Sequence, residues 1–228
     1  MIVVVGSLSW RSAPPAAPAG RACGIALAAA SRGARVELIG RVGEDAAGEA
    51  LLLALSRAGV GHVAVLRDPV RPTPIVAPPP AAPADDQDPS PFAEPAAAAS
   101  APSAMAVSAG PRLEGADVDL GMRYITPSGV LVVTEDVPSD VLAVAVEAGQ
   151  FADTRLVVLV AAGGLASRSV PVGLPEDATV LAAPDVDDDG AFDALVGAYA
   201  AALDGGADAA SAFATAQAAT GWEAAAAE

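Results

Sequence analysis

Short apolar runs alternating with small-residue helical stretches restrict this chain to a layered α/β architecture. Ile2-Val3-Val4-Val5 is a continuous apolar run ended by Gly6-Ser7. A run without a polar face fits a strand covered on both sides, as in a parallel sheet. Ala22 to Arg32 reads as a helix of small residues closed by Gly33, and Val36 to Ile39 as a second strand. Asp45 is placed to cap a further helix, with Ala46, Leu51, Leu52 and Leu55 on its apolar face and an end near Gly59. Val63 to Leu66 is a third strand, with His62 in the turn before it. The order β-α-β-α-β predicts a mainly parallel sheet layered with helices.

Beyond Ala77 the pattern stops. Residues 77–110 are an Ala/Pro/Ser mixture with no period and few large apolar groups, expected to be largely disordered or extended. Regular structure is expected to resume near Leu113. Strands are predicted at Val130–Val133, Leu156–Val160 and Val180–Ala182, and helices at Ser139–Ala148, Ala191–Leu203 and Ala207–Ala219. The chain, 1–228, reads as one α/β domain interrupted by the Pro/Ala-rich segment.

Charge narrows the partners. The 12 basic residues face 28 acidic ones, a net charge of −16, and there is no lysine. Such a surface repels nucleic-acid phosphates and anionic membranes, so neither is an expected partner. The start of the chain has no basic leader, and no apolar run is long enough to cross a bilayer, so a cytoplasmic location is expected. The lone Cys23 excludes an intrachain disulfide and reads as a small buried helix residue. A single histidine, His62, with no companion motif, argues against a histidine metal cluster or a Ser-His-Asp triad, and no metal ligands are assigned.

Two separated stretches carry the chemistry. The first runs Ala19-Gly20-Arg21-Ala22-Cys23-Gly24-Ile25-Ala26, then Gly33-Ala34, Leu38-Ile39-Gly40, Val42-Gly43, Asp45 and Gly48. The second is Asp187-Asp188-Asp189-Gly190-Ala191-Phe192-Asp193, opening an Ala-rich helix. A small-residue turn feeding a helix, with a carboxylate in the first turn, can hold a phosphate beside a base. Asp187 to Asp189 also read as simple helix caps, and Arg21 as a solvated residue.

At these spacings the chain resembles the PfkB/ribokinase family of sugar and nucleoside kinases. The resemblance implies a three-layer ribokinase-like fold with the family's small β lid reduced or absent, and hence no lid-type dimer. It implies ATP-dependent phosphoryl transfer to a hydroxyl, with Asp193 as base and Gly190, Ala191 and Phe192 forming the anion pocket for ATP phosphate. Gly20, Arg21 and Gly24 would bind a sugar-like acceptor. ATP and Mg²⁺ would be required if the site is active. The family's last turn glycine is Phe192 here, its asparagine is Gly24, and its Asn-x-x-Glu metal motif is not found. The alternative is therefore a catalytically impaired pseudokinase that binds a metabolite or serves a structural or regulatory role. Phe192 is expected to crowd the phosphate or strain the backbone.

Overall fold

The computed structural model describes residues 1–76, 110–125, 127–162, 173–185, 187 and 189–222. Almost all of the Pro/Ala-rich segment, and Asp188, lie outside them. The described elements run β1 (Ile2–Val5), β2 (Ser9–Arg11), β3 (Ala17–Ala19), α1 (Arg21–Ser31), β4 (Val36–Gly43), α2 (Ala46–Arg57), β5 (Val60–Asp68) and β6 (Ile75–Val76). They continue with α3 (Gly115–Tyr124), β7 (Val130–Val133), α4 (Ser139–Phe151), β8 (Arg155–Ala161), β9 (Thr179–Ala183), α5 (Ala191–Asp204) and α6 (Ala209–Thr220).

Six strands form one sheet in the order β5-β4-β1-β7-β8-β9, and every pairing in it is parallel. β1 sits inside the sheet, with Ile2 aligned to Val36 on one side and Val130 on the other. All of its side chains are buried, which is why its sequence lacks alternation. Successive residues still point to opposite faces. Ile2, Val4, Val130 and Val132 pack with Ile25 of α1, Leu51 of α2, Leu195 and Tyr199 of α5 and Ala212 of α6. Val3, Val5, Leu131 and Val133 pack with Val118 and Met122 of α3 and Val141 and Ala145 of α4. Each Val, Leu or Ile buried in this way stabilises the fold by about 1.5–3 kcal/mol. The result is three layers: helices, parallel sheet, helices. Among the described residues no helix is long and apolar enough to cross a membrane.

A second sheet has the order β3-β2-β6. β2 pairs antiparallel with β3 and parallel with the two-residue β6, so among the described residues this small sheet has three short strands.

Three details differ from the sequence reading. β5 begins at Val60, so His62 lies within a strand rather than in the turn before it. β4 extends to Gly43, which makes Gly40 a strand residue. The third is α3, which was not expected. Its sequence holds two glycines and two aspartates, which favour helix weakly. Its apolar residues Val118, Leu120 and Met122 recur every second position, a strand-like period. A local reciprocal cap between Glu114 and Asp117 and one tertiary contact, Arg41 donating to both Asp117 oxygens at 2.7 and 2.8 Å, hold it as helix.

Candidate active site

In the large sheet the chain runs outward from β1 through β4 to β5, then resumes on the other side with β7, β8 and β9. A parallel sheet that reverses direction in this way leaves a crevice beyond the carboxyl ends of its central strands, where ligands of α/β proteins bind. Gly6 follows β1, Glu135 lies two residues past β7, and Pro184 directly follows β9. The segments after β7 and β9 and the amino ends of α1 and α5 converge on a cleft of about 500 Å³ lined by Gly20, Arg21, Glu135, Asp136, Asp187 and Asp193, with Val76 of the small sheet and Asp185 at its margin.

Arg21 is the hub. It follows Gly20, whose φ of 87° turns the chain into α1, and it is pinned on four sides. Its Nε donates to Glu135, Nη1 donates to Asp193 Oδ1 at 3.0 Å, and Nη2 donates to the Pro184 carbonyl at 2.9 Å. Its guanidinium carbon lies 5.1 Å from the centroid of the Phe192 ring, a distance at which a cation is attracted to the aromatic face. The solvated arginine expected from sequence is thus a largely buried, fully engaged one.

Asp193 occupies the first turn of α5. Its Oδ1 meets Arg21, and its Oδ2 lies over α1 so closely that a Cβ on Gly24 would sit 2.0 Å from it. The glycine that replaces the expected asparagine is therefore what lets the carboxylate approach α1. Burial pushes the Asp193 pKa from 3.8 up to about 7, Arg21 opposes the rise, and the Asp187 charge adds to it. A carboxyl that titrates near neutrality suits proton transfer at physiological pH.

The head of α5 is organised by the chain's own acids. Gly190 takes a left-handed conformation, φ 69°, which glycine adopts without steric cost. The Asp187 carboxylate accepts from the N–H of Phe192 and of Asp193, each at 3.1 Å. Asp189 accepts from the N–H of Ala191 at 3.1 Å. These are the donors that a helix start leaves free. The cap reading of Asp187 and Asp189 describes the geometry, and in this arrangement the Gly190–Phe192 turn offers no free first-turn N–H to a phosphate.

Phe192 lies in helix, without glycine-only angles. Its ring is buried against Trp222, centroids 5.5 Å apart, in an edge contact. The expected crowding by its side chain therefore takes another form: the ring packs into the core beneath Arg21. Cys23 is also buried, and burial pushes its thiol up to about 12, so it carries no nucleophile at neutral pH.

Glu135 and Asp136 were not singled out from the sequence. The available signal was their position, immediately after the apolar run Val130–Val133 and Thr134, at the carboxyl end of an interior strand. Glu135 Oε2 is buried and has no hydrogen-bond partner among the described residues. Asp136 is bonded by the Thr134 hydroxyl. Among the described residues no three His, Cys, Asp or Glu side chains converge in a way that could hold a metal ion. A larger groove, about 570 Å³, lies between α3 and α4, on elements other than those that line the crevice. The two charged side chains of α3 that line it, Asp119 and Arg123, bond each other.

Residues 13–77 match the model of the pfkB family carbohydrate kinases. No curated protein sequence matches the chain at a significant level. The fold is that of solved ribokinase-like enzymes. Arabidopsis thaliana ribokinase, solved with ribose and ATP, superposes with a TM-score of 0.61 at 15% identity, over 96% of this chain and 91% of that one. Aminoimidazole riboside kinase from Salmonella enterica gives 0.62 at 14% identity, over 96% and 92%. A PfkB protein from Polaromonas sp. JS666 gives 0.61 at 15%, over 96% of each chain. The match to the family model covers the first of the two sequence stretches. Over the rest of the chain the likeness is one of fold.

Proposed function

We propose, from a pfkB-family segment set in a ribokinase fold, that this protein is a carbohydrate kinase homologue in which Asp193 takes the proton of an acceptor hydroxyl during phosphoryl transfer. One observation carries the reading. The Asp193 carboxyl, titrating near neutrality, stands in the same crevice as the Gly20-Arg21 turn and the segment after β7. Arg21 engages Oδ1, which leaves Oδ2 as the oxygen that accepts the proton. Arg21 and Glu135 form the acceptor side, Gly20 sets the turn that aims Arg21, and Gly24 makes room for the Asp193 carboxylate against α1.

The residues fit an acceptor better than they fit a nucleotide. The first-turn N–H groups of α5, assigned to ATP phosphate by resemblance, bond to Asp187 and Asp189 instead. Two carboxylates there also repel a phosphate. This favours a second reading, in which the acceptor site persists and turnover is impaired. The two separate in one experiment. Wild type is incubated with ATP, Mg²⁺ and a panel of pentoses, hexoses and nucleosides, and products are read by mass spectrometry, with a thermal shift of each sugar measured in parallel. Phosphorylated product supports the kinase. A thermal shift without product supports the impaired reading, and neither shift nor product refutes both.

A further inference from the structure

A strap joins β5 to β6 and reads Pro69-Val70-Arg71-Pro72-Thr73-Pro74. Its prolines have no N–H to donate. The N–H groups of its other residues all end on carboxylates. Val70 and Arg71 donate to Asp68 Oδ1 at 2.9 and 3.0 Å, and Thr73 donates to Asp45 Oδ2 at 2.7 Å. The buried Thr73 hydroxyl donates to Asp45 Oδ1 at 2.8 Å and accepts from the Gly43 N–H at 2.9 Å. Asp45 Oδ1 also accepts from the Gly48 N–H, which caps α2. A cap needs one oxygen, and the second serves the strap. The approach is so close that a Cβ on Gly43 would sit 2.6 Å from the Thr73 nitrogen, and one on Gly48 2.9 Å from Thr73 Oγ1.

The strap leads to the crevice. The Pro74 carbonyl accepts from the Trp10 N–H of β2 at 2.8 Å. Ile75 aligns with Trp10 and Val76 with Arg11, and Val76 stands at the crevice margin. On the other side of β2, Ser9 aligns with Ala19, and a Cβ on Gly20 would lie 3.2 Å from the Ser9 hydroxyl oxygen. A shift of the strap therefore moves β2, and β2 abuts the turn that aims Arg21 at Asp193.

We propose, on the reading of this crevice as an acceptor site, that Asp45 is a positioning residue for it. Through Thr73 it fixes the strap, and through the strap it fixes the small sheet that holds Val76 and the Gly20-Arg21 turn in place. Asp45 touches no ligand in this role. It acts on binding because a displacement of about 1 Å, caused far from the ligand, is enough to spoil a site.

Four variants test this. Asp45→Ser keeps an oxygen to cap α2 and lacks the second one, which the Thr73 N–H uses. Thr73→Val lacks the hydroxyl and Thr73→Ser keeps it. Asp208→Ala removes the side-chain cap of α6 and controls for lost helix stability alone. Two quantities are read on each protein without nucleotide. One is exchange of the Trp10 amide by NMR, relative to the Val132 amide of β7. The other is calorimetric affinity for D-ribose, D-glucose and adenosine. Asp45→Ser and Thr73→Val speed the relative Trp10 exchange by about tenfold or more, and weaken whichever of the three compounds wild type binds by about tenfold. Thr73→Ser and Asp208→Ala stay close to wild type in both. Unchanged Trp10 exchange in Asp45→Ser, or equal effects in Asp208→Ala, overturns the proposal and leaves Asp45 a helix cap only. Faster Trp10 exchange with affinity intact overturns the positioning role alone. No binding of any of the three by wild type overturns the acceptor reading, and the positioning role with it.

Discussion

Replacing Asp193 by asparagine should stabilise the fold, and only at high pH. The structure pushes the Asp193 pKa from 3.8 to about 7, chiefly by burial. Below the lower value the carboxyl is protonated whether folded or unfolded, and contributes no penalty. Between the two values the folded protein keeps the proton that the unfolded chain releases, so stability falls as pH rises. Above about 7 the folded protein carries a buried charge that the unfolded chain would solvate. At 1.36 kcal/mol per pH unit, the interval corresponds to about 4 kcal/mol. Water in the open crevice screens part of this, and about 2 kcal/mol is the expected effect. Asparagine has nearly the same shape and no charge, and Arg21 keeps Glu135 and the Pro184 carbonyl. Urea unfolding of wild type and Asp193→Asn is compared at about pH 3 and about pH 8, with the difference between the proteins cancelling the pH dependence of every other group. The variant should gain about 2 kcal/mol at the higher pH and be within about 0.5 kcal/mol of wild type at the lower. A difference independent of pH, or a variant less stable at the higher pH, would refute the reasoning. It would mean that Arg21 holds the carboxylate charged throughout.

Two further perturbations probe the same crevice. Phe192→Ala removes a buried ring that supports Arg21 and Trp222, and should lower the unfolding free energy by about 3–5 kcal/mol in urea titrations. A loss under about 1 kcal/mol would contradict its placement in the core. Gly24→Ala favours helix by about 0.5–1 kcal/mol, yet its Cβ would sit 2.0 Å from Asp193 Oδ2. The clash should dominate, with a net loss of about 1–2 kcal/mol by calorimetry, largely absent when Asp193 is also alanine. An undiminished loss in the double variant would place the clash elsewhere.

How far the sequence could be read depended on whether a residue's role was local. The buried strand Ile2–Val5 was legible because a parallel strand covered on both faces must be apolar throughout, and the Asp45 cap because Asp45 Oδ1 accepts from the Gly48 N–H three residues on. α3 was not, because packing against β4 and β5, with the bond from Arg41, overrides the weak propensity of its glycines and aspartates. Gly20, Arg21 and Asp193, which line the crevice, and Gly24, which lies against Asp193, were singled out through the resemblance of two local motifs to a family pattern. What those motifs could not reveal was their tertiary pairing. Arg21 lies 114 residues from Glu135 and 172 from Asp193, so nothing local distinguishes it from a solvated arginine. Asp187 posed the opposite problem. Its two roles, helix cap and neighbour of a phosphate pocket, share one sequence pattern, and only the direction of the Phe192 and Asp193 N–H groups separates them.

The most direct test of Asp193 as the proton acceptor is phosphoryl transfer by wild type and Asp193→Asn side by side, with ATP, Mg²⁺ and the sugar that gives the largest thermal shift. The account predicts phosphorylated sugar from wild type and a rate lower by about 10²–10⁴-fold in the variant, with sugar binding retained. Equal rates from the two proteins would contradict the role of Asp193, and no product from wild type would contradict present catalysis.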